Sequence, residues 1–98
     1  MNKIILALDK DYDSKDVSDI LTSMFEEKTS FARYKVDQYK EKCLEFEKKH
    51  NINSNEFIKK FESGEMGDDA VFFDWFAAKK GFDIWNKKLN ILKGVSVQ

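Results

Sequence analysis

Three groups of side chains have types and spacings that could do chemistry. Asp9, Asp11 and Asp13 repeat the D-x-D-x-D spacing that opens an EF-hand calcium loop. Such a loop also needs glycine at its sixth position and a bidentate glutamate at its twelfth. Here those positions hold Ser14 and Ile20, so the run reads as a solvated acidic turn that caps a helix. Glu47 and His50 form a Glu-x-x-His pair on one helical face, the local signature of di-iron carboxylate bundles. A di-iron site takes two such pairs and two further glutamates, whereas the C-terminal helix offers only Asp74 and Asp83. His50 is therefore expected at the surface of a helix end, with a metal at Glu47/His50 left as an open question. Cys43 lies seven residues before His50, about 10 Å along a helix, too far to form a nucleophile and base pair. It reads as a small core residue. With one histidine and no glycine-rich phosphate loop in the chain, neither an enzyme nor a cofactor is expected.

The 98 residues suffice for a single small domain, with a core that is marginal at this size. Forty-two per cent hydrophobic residues exclude a disordered tail, and nine Phe, two Trp and three Tyr exceed what so small a core readily buries. Part of that aromatic surface is expected to be covered by another molecule. The net charge of −1 excludes a protein that wraps nucleic acid electrostatically. The apolar run from Ile4 to Leu8 is too short for a membrane span and lacks a cleavage region, so the cytoplasm is expected.

The elements follow from periodicity. KIILAL, residues 3–8, reads as a short strand. Val17, Ile20, Leu21, Met24 and Phe25 mark a helix over 14–27, capped by Asp13 or Ser14. A second helix is expected from Thr29 or Ser30, with Ala32, Val36, Tyr39, Cys43, Phe46 and His50 along one seam. Asn53 with Glu56 forms a capping box for a third, short helix. Asp68 is expected to cap a fourth, whose seam runs through Val71, Trp75, Ala78, Phe82, Trp85, Leu89 and Leu92 and which ends at Gly94. The predicted fold is mainly α: one N-terminal strand followed by about four helices, the long ones packed as an antiparallel hairpin. Residues 1–50 would form a dimerisation module and 51–98 a partner-binding region of one compact domain.

A lone strand leaves its backbone unpaired. Pairing with a second copy would give a ribbon-helix-helix dimer, with Lys3, Lys28, Arg33 and Lys35 as the residues able to meet DNA phosphates.

The stretch 57–75, FIKKFESGEMGDDAVFFDW, resembles a motif of small bacterial and archaeal antitoxins encoded beside ribonuclease-like toxins. The matching residues are Phe57, Phe61, Gly64, Glu65, Met66, Gly67, Asp68, Asp69, Phe73 and Trp75. The resemblance extends over roughly residues 30–93, and it implies a protein that sequesters a toxin, with weak operator binding as a second role. Phe72, Phe73 and Phe76, with Asp68, Asp69 and Asp74, would then form the partner-binding surface. The alternative is a homodimeric helical interaction or scaffold protein that binds neither toxin nor DNA.

Overall fold

The computed structural model describes residues 2–97, and three helices account for its regular structure: α1, Ser14–His50; α2, Ser54–Glu62; and α3, Ala70–Lys93. The mainly helical expectation agrees with this; two of its parts do not. Residues 3–8 form no strand but an exposed segment without regular secondary structure. A strand needs a neighbour for its amide and carbonyl groups, and no other described segment is a strand. The ribbon-helix-helix arrangement is corrected with it.

The second correction concerns helix number. Residues 14–27 and 29–50 are one helix of 37 residues rather than two, so there are three helices and not four. Thr29, one of the two residues expected to open the second helix, instead donates its hydroxyl to the carbonyl of Phe25 one turn earlier, at 2.6 Å. A threonine bonded back in this way is satisfied inside a helix, and without glycine or proline between Met24 and Phe31 nothing stops propagation.

The ends of α1 are specified by side chains. Asp13 is the N-cap and accepts from the backbone N–H of Lys15 at 2.8 Å. Asn51 closes the helix in the left-handed conformation, φ 56°, with its N–H on the carbonyl of Glu47, a role asparagine fills because its short side chain tolerates that region. Two residues later Asn53 caps α2, accepting from Glu56 N–H at 2.8 Å. The Glu47 carboxylate reaches across from α1 and accepts the N–H of Ser54 at 2.8 Å. One side chain of α1 thus satisfies a first-turn donor of α2 and fixes the corner between them.

Gly64 and Gly67 both have φ near +80°, which lets the chain reverse between α2 and α3 without a Cβ penalty. Asp69, not Asp68, is the N-cap of α3, accepting from Val71 N–H at 3.2 Å. From there α3 runs back antiparallel along α1: Trp75 lies against Phe46 and His50, and Trp85 against Phe31. Ala32, Val36 and Leu89 are buried between the helices, with Phe82, Trp85 and Leu92 packed around them. The molecule is a rod of 60 × 22 × 21 Å. Among the described residues, no helix is long and apolar enough to cross a membrane.

Candidate functional site

The densest side-chain cluster forms where α2 folds onto the junction of α1 and α3. Trp75 is fully buried and lies flat against Phe57, with ring centroids 3.9 Å apart and planes 5° from parallel. Phe46 stacks at 5.6 Å and His50 at 5.3 Å. Burial of an indole leaves its N–H in need of an acceptor. The Ser54 hydroxyl supplies one at 3.0 Å, from a residue 21 positions earlier in the chain. Ser54 thereby ties α2 to α3 by its side chain and to α1 by its amide.

His50 is not the free surface residue that its place at a helix end suggested. It is half-buried between Phe72 and Trp75, and its Nε2 is buried with no hydrogen-bond partner among the described residues. Glu47, the other half of the Glu-x-x-His pair, is committed to the Ser54 amide. Among the described residues no three histidine, cysteine, aspartate or glutamate side chains gather as a metal site would require. Cys43 is buried as expected. Burial, above all, pushes its thiol pKa up, partly offset by a hydrogen bond with Ser54.

The expected partner-binding residues divide by burial. Phe72 is half-buried against Phe57 and His50, and Phe76 is half-buried against Phe61. Phe73 remains 53% exposed, meeting Phe61 edge-on at 5.2 Å. Asp68, Asp69 and Asp74 are all exposed. Between Phe61 and Ala78 the chain carries five acids, Glu62, Glu65, Asp68, Asp69 and Asp74, and no lysine or arginine. Phe61, Phe73 and Phe76 thus form an aromatic edge next to an acidic stretch, with Lys80 standing over the Phe76 ring at 5.2 Å. Phe61 was missed as a member of this edge, because a residue on α2 could be placed opposite Phe73 only once the Gly64–Gly67 reversal was known.

The expected DNA-contacting residues do not converge. Lys28 and Lys35 are seven residues apart, about 20° on a helix, and bracket Phe31 at 5.8 and 5.7 Å from its ring centre. Arg33, two residues from each of Phe31 and Lys35, points about 160° away from them around the same helix. Lys3 lies in the exposed N-terminal segment outside the helices.

No protein-family model, curated protein or solved structure matches the chain.

Proposed function

We propose that the chain is a protein-binding module whose aromatic edge, Phe61, Phe73 and Phe76, docks on a basic protein surface, with Asp68, Asp69 and Asp74 supplying the electrostatic complement. The observation that carries this reading is Phe73: a large aromatic ring more than half exposed, met edge-on by Phe61, in a stretch of chain, residues 62–77, that holds five acids and no lysine or arginine. Rigid aromatic anchors ringed by charge are what protein interfaces use as hot spots. The narrower form, in keeping with the resemblance of residues 57–75, is an antitoxin that masks a small RNA-cutting enzyme, whose substrate-binding surface must itself be basic. Its action would be steric, with no chemistry asked of this chain.

The test is co-expression of the tagged chain with the product of the adjoining gene. The wild-type chain retains that product; the Phe73→Ala/Asp74→Asn variant loses it while melting within about 3 °C of wild type, as expected for two exposed residues. Failure of the wild type to retain a basic partner, or retention by the folded variant, refutes the reading.

A further inference from the structure

A second exposed face, at the opposite end of the rod, is independent of the Phe73 edge. α1 outruns its partner helix: the end of α3 at Leu92 and the following Val95 and Val97 line one groove with Thr22, Phe25 and Thr29 of α1, so the stretch of α1 from Ser14 to Leu21 lies beyond them. Along this end runs a second line, Asp13, Val17, Ile20, Met24, Glu27 and Phe31, spaced alternately by four and three, whose last member, Phe31, also meets Trp85 of α3 edge-on. This is the spacing of a helix that expects a second helix. Ile20, Met24 and Phe31 are 62, 56 and 44% exposed. An unsupported helical end of this length is marginal in water, because packing rather than propensity supplies most helical stability.

Charge identifies what covers it. Residues 9–19 carry five aspartates against two lysines, net −3, whereas residues 28–42 carry five cations against two acids, net +3. Among the described residues the ion pair in the acidic stretch joins Lys15 to Asp19 at 2.9 Å, and Asp9, Asp11, Asp13 and Asp16 make none. Lys28 and Lys35 stand over Phe31, and Lys88 over Trp85 at 4.5 Å, on the adjoining surface.

We propose that this face is the interface of a symmetric dimer in which the α1 helices of two copies lie antiparallel about a two-fold axis at Met24. That one axis places Asp13 level with Lys35 of the second copy, Val17 with Phe31 and Ile20 with the stem of Lys28. Each pair then occurs twice, as an isologous interface requires. Asp16 falls between Lys28 and Lys35 of the second copy, so acidic end meets basic middle in both directions. A parallel pairing would instead set like charges side by side.

Sedimentation velocity on the full chain from 1 to 100 µM tests this. The wild type is a dimer whose dissociation constant rises at least tenfold between 50 and 500 mM salt. Lys28→Glu/Lys35→Glu and Asp11→Lys/Asp16→Lys are each monomeric alone at 10 µM, and an equimolar mixture forms a heterodimer, because the reversed charges then face each other at one end while the other end keeps its wild-type pairs. Ile20→Ser, which leaves every charge in place, also weakens the dimer at least tenfold. Circular dichroism confirms that the variants are helical; should either charge variant fail to fold, Ile20→Ser carries the test alone. A wild type monomeric at 100 µM, or a dimer indifferent to these changes, overturns the proposal. So does a monomer that uses Lys28 and Lys35 to bind phosphatidylserine vesicles or duplex DNA.

Discussion

Ser54→Ala is the most exacting perturbation of this fold, because it removes one oxygen and leaves the shape almost unchanged. The Trp75 indole can only donate, is fully buried, and has the Ser54 hydroxyl as its acceptor at 3.0 Å. Around it stand the rings of Phe57, Phe46 and His50, which offer stacking faces. The variant therefore strands a buried donor, at a cost of about 1–3 kcal/mol, against roughly 1 kcal/mol for a bond whose partners could both return to water. The Glu47 bond to the residue 54 amide survives, since it uses the backbone. For a chain of this size, each kcal/mol lowers the melting temperature by about 4–8 °C. Urea unfolding followed at 222 nm gives the free energy directly. The discriminating step is the same substitution in a Trp75→Phe background, where the donor is already gone. There Ser54→Ala should cost at least ~1 kcal/mol less, a coupling within the range of contacting pairs. A wild-type-like Ser54→Ala, or an equal cost in both backgrounds, would refute the role assigned to this bond.

Three further outcomes follow from particular contacts. A Cβ on Gly81 would meet the Tyr39 ring at 2.5–2.8 Å, so Gly81→Ala should destabilise despite alanine's better helix propensity, by about 1–2 kcal/mol net, and Tyr39→Ala should abolish the penalty in a thermal melt. Phe57→Ala should cost about 3–5 kcal/mol in urea unfolding, because that ring is fully buried, whereas Phe73→Ala should stay within about 1 kcal/mol. For Cys43, the folded thiol pKa lies above its ordinary value of about 8.5, chiefly through burial. The unfolded chain therefore loses its thiol proton first as pH rises. Stability from the protonated thiol is complete below the unfolded value and is lost as pH climbs toward and through the folded one. Cys43→Ala should accordingly lose less stability than wild type between pH 8 and 10, and equal slopes would contradict the burial argument.

What could be read from the sequence was whatever local chemistry decides. Asn53 as the cap on the Glu56 amide, Gly94 after the Leu89–Leu92 turn, and the seams through Val36 and Trp75 are written in neighbouring residues, and they appear in the structure. The errors arose where a local signal competes with an absent or distant partner. KIILAL has the composition of a strand, but pairing is not a property of one segment. Thr29 and Ser30 can cap a helix only if the preceding helix stops, and the hydroxyl of Thr29 had an equally good acceptor in Phe25. Asp68 and Asp69 are equally good caps by type, and the choice between them depends on the turn made by Gly64 and Gly67. The Glu47 and Ser54 links were not legible, because a carboxylate on a helix and a serine at a helix start have many ordinary uses. Of the aromatic edge, Phe73 and Phe76 were legible as apolar residues outside the α3 seam, whereas Phe72, expected with them, turns toward Phe57 and His50. Phe61 and the burial of His50 required the third dimension.

The projection of α1 beyond α3 has a kinetic meaning as well as a geometric one. A single run of helical backbone from Ser14 to His50 is not a single unit of stability. Over Ala32, Val36 and Cys43 an amide can exchange with solvent only if the packing against α3 opens, whereas near Asp16 and Asp19 it needs only the fraying of a helix end. In an isolated chain, deuterium uptake and protease cutting should therefore run as a gradient along one uninterrupted helix, fastest at its N-terminal third. Whatever comes to lie on Ile20 and Met24 would erase that gradient, so the helix reports its own occupancy through the lifetime of its backbone hydrogen bonds.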